Sequence, residues 1–429
     1  MSRYIVILMA SIMAISTGIA GNSDFLEVRG NEFYLNGKPF YEISFNKFDL
    51  FWQMMAAEFN KSGFGDEPAV TGEKALRDLN RMGFKTVRAV FNVYPEYYNP
   101  ALQSRFFAVM DRTLDLCDKY DIRLVFSMGM VDMNYSKECG ETYKEFLTSP
   151  GCKSRLKMHA YVSDLIKRYR ERKTIAMWEH GNELLLKANI GDFKGEMMPT
   201  LEEVAEFHRA ETEFIRTLDK SHPTTTGDSY RNCLWSLYKY GRGETKNGWG
   251  INTMDEIGKA VSMAQKGVDV FCIHNYYKGP AYGCHTVMGK DGKPKGLDMA
   301  DWTAIAKAEG KPLYVGEYSV MPLARTDANK KRWEENPDWF ESYDGADREK
   351  AIKMVKLGLE DIVKAKPNLT HWWCYQSNRT AEQKNPQRFD IDPERTPELL
   401  QALMDANRRL QMATMGFTYM KDNASITQK

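Results

Sequence analysis

The chain has 429 residues, with 59 Lys+Arg against 58 Asp+Glu and a formal charge of +1. That balance, without a basic stripe, excludes a protein that lives by phosphate contacts, so nucleic acid is not an expected partner. Aromatic residues make up 12%, with 9 Trp and 22 Tyr, and flat apolar faces with a polar edge suit sugar rings as well as they suit a large core.

At the N-terminus, Arg3, the apolar run 5–16 and the small residues Gly18-Ile19-Ala20 read as a secretory signal with cleavage after Ala20. The run is too short to span a bilayer, no other stretch is long and apolar enough, and no Cys follows it for lipid attachment. The expected organisation is a signal peptide over 1–20 and one catalytic domain over 21–429, secreted or periplasmic, with no stable membrane insertion after signal removal.

Residues 25–40 alternate and turn at Asn36-Gly37, which predicts a small hairpin closing the bottom of whatever follows. A strand-then-helix rhythm then begins. Apolar runs predict strands over 40–46, 86–91, 123–128, 174–180, 224–228, 268–274, 312–316 and 370–375. Helical patterns lie between and after them, over 72–82, 101–119, 154–172, 201–220, 254–266, 299–309, 348–364 and 397–410. Eight such units predict a closed (β/α)8 TIM barrel with a short N-terminal β-hairpin. Helices run into the next strand through a few residues, as at 82–85, 120–122 and 309–312, whereas strands lead to helices through long segments, 51–70, 129–152, 230–253, 276–297 and 318–347. These long βα loops all fall on one face, the C-terminal one on which barrels build their sites.

Seven cysteines without a Cys-x-x-Cys spacing support neither a zinc ribbon nor a redox motif. Cys139 and Cys152 share a loop and could pair in an oxidising compartment, while Cys117, Cys272 and Cys374 fall in apolar patterns and read as core thiols.

If the strand ends share one rim, their polar residues converge there. Arg88 lies in the second strand, Asn182-Glu183 follows the fourth, His274 and Tyr276 close the sixth, Glu317 ends the seventh and Trp373 lies in the eighth. Two carboxyl groups on one rim are what glycoside hydrolysis requires, one protonating the leaving oxygen while the other attacks the anomeric carbon or activates water. An Arg and a Tyr nearby can hold one of them charged. Glu179 is a rival acid, but it sits within the strand and below the rim, where a structural ion pair is its expected role.

The segments Trp-Glu-His-Gly-Asn-Glu, His-Asn-Tyr and Val-Gly-Glu-Tyr, in this order on strands four, six and seven, resemble glycoside hydrolase family 5 of clan A. The opening Gly-Asn-Glu-Phe-Tyr-Leu-Asn-Gly-Lys-Pro-Phe-Tyr resembles the start of its β-mannanase branch. The resemblance implies a retaining mechanism with Glu183 as general acid/base and Glu317 as nucleophile. It implies that Asn182 binds the sugar 2-hydroxyl, that Arg88 and Tyr276 hold Glu317 as a carboxylate, that His274 contacts the acid/base and that Trp373 forms the platform under the sugar. No metal and no cofactor are implied, in keeping with seven scattered His.

Two departures stand out: Leu184 replaces the Pro that commonly follows the Asn-Glu pair, and His180 is unexpected before the Gly. The third strand ends in Phe-Ser-Met-Gly-Met-Val-Asp-Met-Asn where cellulases of the family carry a His, which favours β-mannan over cellulose. The expected function is a secreted endo-β-1,4-mannanase acting on a polysaccharide or oligosaccharide. The alternatives are a β-glucanase, an exo-acting β-mannosidase or β-galactosidase, and a barrel that binds carbohydrate without cleaving it. Trp52, Trp235, Trp249, Trp333 and Trp339 lie in the long loops, where they line outer sugar subsites or pack the loops.

Overall fold

The computed structural model describes residues 24–429 except 61–67, 92–94, 130–133, 189–198, 278–285, 324, 336, 344, 377–389, 416, 420–425 and 429. The expected signal segment lies outside the described residues. Eight parallel strands form one sheet: Glu42–Asn46, Thr86–Val90, Arg123–Ser127, Ile175–Glu179, Thr224–Thr225, Phe271–Tyr277, Leu313–Val320 and Leu369–Trp372. In space the first strand pairs with the eighth and the second, and a parallel bridge from Thr225 to Val270 links the fifth strand to the sixth. The sheet is thereby a (β/α)8 barrel, as the eight repeats predicted.

The strands lack hydrophobic alternation because both faces are covered. Val87, Leu124, Ile175 and Val315 pack outward with the helices in one large cluster. Val125, Met177, Cys272, Tyr314 and Leu369 fill the barrel in a second cluster with Leu26 and Phe33 of the N-terminal segment. The predicted hairpin is a three-stranded ribbon, Glu27–Arg29, Glu32–Leu35 and Lys38–Pro39, turning at Asn36 and Gly37 with φ of +52° and +74°. Phe33 and Leu26 are fully buried, so the ribbon plugs the barrel.

The eight predicted helices are present as Pro68–Arg81, Gln103–Lys119, Lys153–Tyr169, Leu201–Leu218, Met254–Ala264, Met299–Ala308, Arg348–Ala365 and Pro397–Thr414. Their starts follow local chemistry. Thr200 accepts from the Glu203 backbone while the Glu203 carboxylate takes the Thr200 N–H, and Thr253 with Glu256 repeats the device. Each such cap is worth about 1 kcal/mol.

The long loops carry helices that the sequence reading left unassigned, among them Leu50–Phe59, Asn134–Cys139, Tyr143–Thr148 and Leu234–Gly241. A short C-terminal hairpin, Phe417–Tyr419 with Ile426–Gln428, was likewise not foreseen. Cys139 and Cys152 do not pair: both are free thiols, and the Cys152 sulfur lies 3.3 Å from the Ser154 hydroxyl. Cys117, Cys272 and Cys374 are buried thiols, as expected. Among the described residues no helix is long and apolar enough to cross a membrane.

Candidate active site

Arg88, Glu179, Glu183, His274, Tyr276 and Glu317 meet at the C-terminal rim. Arg88 organises the floor. Its guanidinium is fully buried, which requires charged partners. It has them: Nε and Nη2 grip Glu179 at 2.7–3.0 Å, Nη1 donates to Glu317 at 2.9 Å and to Asn46 at 3.1 Å, and Nη2 reaches the Asn182 side-chain oxygen at 2.9 Å. Burial works against the charge of Arg88, but Glu179 and Glu317 outweigh it and keep the guanidinium protonated. Glu179 therefore holds the structural ion pair expected of it.

Glu317 is 4% exposed. One oxygen takes the Arg88 hydrogen bond, and the other accepts from the Tyr276 hydroxyl at 2.5 Å. Burial and then the Glu317 charge push the Tyr276 phenol far above its usual value, so it stays a donor. Across the rim, His274 Nδ1 lies 3.1 Å from a Glu183 oxygen and 3.6 Å from Glu317. Burial opposes the charge of His274, but Glu317, the Cys272 thiol and Glu183 together raise its pKa well above the imidazole value. Glu183 responds in the opposite sense: burial raises it, yet the His274 hydrogen bond and the His274 and Arg88 charges hold it below the ordinary carboxylate value.

Two glycines make room for this arrangement. A Cβ on Gly316 would stand 2.8 Å from His274 Nε2, and the pairing of the sixth and seventh strands shifts between Val315 and Glu317. Gly227, with φ of +74°, lies under the acid turn; a Cβ there would stand 2.0 Å from the Gly181 carbonyl and 2.6 Å from the Glu179 carboxyl carbon. Glu183 itself has φ of +57°, with its N–H donated to the Gly227 carbonyl at 2.9 Å.

All seven residues singled out in the sequence lie on this rim. Asn182 is exposed above Arg88. Trp373 is half-buried and stacks on Phe48 at 4.7 Å and 16°, whereas Trp372 is buried in the core, so the two neighbours face opposite ways. Asn46 was missed, although it ends the first strand with an amide as Asn182 follows the fourth. Of the loop tryptophans, Trp249 and Trp339 line a cavity of about 490 Å³ with Leu186, Tyr230, Arg231 and Met321. Trp235 and Trp333 pack against the core, and Trp52 meets Phe48 edge-on.

Oxygens of Glu183 and Glu317 and a His274 nitrogen all lie within 4.8 Å of one another, the one such group of potential metal ligands among the described residues. A proton on His274 Nδ1 occupies the electron pair that a cation would need.

Fold and site together define a (β/α)8 barrel with two facing carboxyl groups, one braced by Arg and Tyr and the other by His. No family model matches the sequence. A curated relative, mannan endo-1,4-beta-mannosidase 3 of Solanum lycopersicum, is 25% identical over 244 residues, 50% of this chain and 55% of the relative, so the chain spans about half the length of that protein. Among solved structures, the endo-1,4-beta-mannanase of Rhizomucor miehei has a TM-score of 0.56 at 17% identity, covering 90% of this chain and 99% of that one. A glycoside hydrolase family 5 mannosidase of the same organism has a TM-score of 0.57 at 15% identity, covering 91% and 98%. At such identities the structural likeness establishes the fold. It is to the same family and mannan-degrading branch that the sequence motifs resemble.

Proposed function

We propose that the protein is a secreted, retaining glycoside hydrolase that cleaves β-1,4-mannan internally. The observation that carries this reading is the approach of Glu183 and Glu317 within 4.8 Å, oxygen to oxygen, from two strands of one rim. Retaining enzymes hold their carboxyl groups about 5–5.5 Å apart, and inverting ones leave about 6.5–9.5 Å for a water. The substrate comes from the likeness to mannan-degrading enzymes.

In this mechanism Glu317, oriented by hydrogen bonds from Arg88 and Tyr276, attacks the anomeric carbon while the glycosidic bond breaks. Glu183 delivers a proton to the leaving oxygen. The resting site presents Glu183 as a carboxylate, so that proton is drawn from His274 Nδ1, 3.1 Å away. Formation of the glycosyl ester removes the Glu317 charge, the strongest support for the His274 proton. Water then adds to the anomeric carbon, its proton passes through Glu183 back to His274, and Glu317 leaves as a carboxylate. Trp373, backed by the buried Phe48, floors the sugar being attacked. The cavity lined by Trp249 and Trp339 reaches the acid side through Leu186, three residues after Glu183, and takes the leaving portion of the chain.

Incubation with mannan, glucomannan, cellulose, xylan and galactan tests the reading, with internal fragments of mannan and retained anomeric configuration by NMR as the expected result. Release of mannose alone would make the enzyme exo-acting, and no turnover on any of the five would reject catalysis. Activity should survive exhaustive chelation; loss restored by a divalent cation would replace the acid pair with a metal site.

Two variants follow from the geometry. Because His274 keeps its proton well above the ordinary imidazole value of about 6.5, kcat/KM falls only as pH rises through that raised value. His274→Gln removes the proton store, so the alkaline limb moves to lower pH; an unmoved limb refutes the relay. Trp249→Ala removes one stacking face and should raise KM for mannooligosaccharides about fivefold, equivalent to ~1 kcal/mol.

A further inference from the structure

Behind the Asn182-Glu183 turn lies a set of buried polar groups that this chemistry does not use. His180, the residue unexpected in the sequence, stacks on His208 of the helix Leu201–Leu218, with ring centroids 5.3 Å apart and the two Nδ1 atoms at 3.0 Å. His208 Nε2 lies 2.9 Å from one Asp228 oxygen, at ion-pair distance though outside hydrogen-bond geometry. The other Asp228 oxygen accepts from the Leu185 N–H at 3.2 Å, two residues beyond Glu183. At the far end the Thr212 hydroxyl stands 3.4 Å from His180 Nε2. All four side chains are at most 1% exposed.

Groups so buried need their protons assigned. Two ring nitrogens at 3.0 Å share one proton, and a carboxylate facing a ring nitrogen needs another, so His208 Nε2 carries a hydrogen. Burial, then His208 and Arg155, keep His180 neutral. Hydrogen bonds thus run from Thr212 through His180 to His208, the 2.9 Å ion-pair contact joins His208 to Asp228, and Asp228 is bonded to the Leu185 N–H on the turn that carries Glu183. That turn needs holding, because a non-glycine residue at φ of +57° is strained. His180, Gly181 and Glu183 donate their N–H groups to the Thr225, Thr226 and Gly227 carbonyls, and Asp228 continues the same segment.

We propose that Asp228 and His208 are positioning residues for Glu183: the buried Asp228–His208–His180 chain locks the left-handed turn that aims the Glu183 carboxylate at Glu317. The proposal rests on Glu183 being the acid/base. Asp228 has a second effect, since its charge opposes ionisation of Glu183 while His274 and Arg88 favour it. The groups facing Glu183 are His274 and Tyr276 of the sixth strand, Glu317 of the seventh, Arg88 of the second and Asp228 after the fifth.

Asp228→Asn and His208→Gln in the full chain test this on two substrates. On mannopentaose, whose leaving group needs a proton, kcat should fall on the order of 10- to 100-fold, with KM changed less than about threefold. On a dinitrophenyl β-mannobioside, whose leaving group needs none, kcat/KM should stay within about threefold of the parent. Asp228→Asn should also move the alkaline limb of the mannopentaose profile to lower pH, which a merely structural role would not do. Equal losses on both substrates, or none on either, overturn the positioning role alone. A parent enzyme inactive on both substrates overturns it together with the glycosidase reading. If Asp228→Asn fails to fold, His208→Gln and Thr212→Val decide the matter by the same split.

Discussion

Replacing Glu317 with Gln should abolish mannan hydrolysis, lowering kcat by about four orders of magnitude or more, as expected when a covalent nucleophile is removed. The fold should survive, because Arg88 loses only one of its anchors. Glu179 still grips it from two nitrogens, and Asn46 and Asn182 accept its remaining hydrogens. A neutral amide also still fits between Arg88 and Tyr276, so the thermal transition should shift little while the rate collapses. That separation makes the variant diagnostic of chemistry. Part of the loss is electrostatic: with no charge on residue 317, His274 loses the main support for its proton, and the acid side weakens with the nucleophile. Mass spectrometry gives a second readout. A fluorinated mannoside that slows hydrolysis of the ester should leave a sugar on the peptide containing Glu317 in the parent enzyme and none in the variant. Near-parental activity of Glu317→Gln, or a label on another residue, would end the retaining mechanism.

Much of this site was legible because the barrel's own physics writes it into the chain. Parallel strands covered on both faces read as short apolar runs, and the run that breaks into Asn182-Glu183 marks where its strand leaves the core; the apolar run before Glu317 marked the second carboxyl group, although that strand continues, buried, to Val320. The fifth strand was placed although it spans only Thr224–Thr225; the rhythm of its neighbours carried it. Other features had no such signature. Leu50–Phe59 is apolar on nearly every face, so it shows no helical stripe, and it is held by burial of Leu50, Phe51, Met54 and Met55. The fit of Gly316 against His274 and of Gly227 under Gly181 depends on the pairing of strands distant in sequence. Asp228 and His208 lie 20 residues apart by number, and only the fold shows that they meet. His180 was the one visible trace of that network, seen in the sequence as an oddity without a partner.

Glu183 is the residue whose loss should depend most on the substrate. Glu183→Ala should lower kcat on mannooligosaccharides by roughly 10²–10⁴-fold, the usual contribution of a positioned acid or base. On an aryl mannoside with a good leaving group, ester formation needs no proton and should persist, but hydrolysis of the ester needs Glu183 as base. The variant should therefore release one burst of phenolate and then stall, with KM falling as the ester accumulates. Azide, a nucleophile that needs no base, can enter the space vacated by the carboxylate and should restore turnover, giving a β-mannosyl azide. Azide rescue in Glu183→Ala, retention in its product and no β-mannosyl azide from Glu317→Ala would assign the two glutamates separately. An α-azide from Glu317→Ala would assign it in the same sense, since attack would then come from the face that the missing nucleophile leaves open. Rescue of Glu317→Ala with a β-azide product would reverse the two roles.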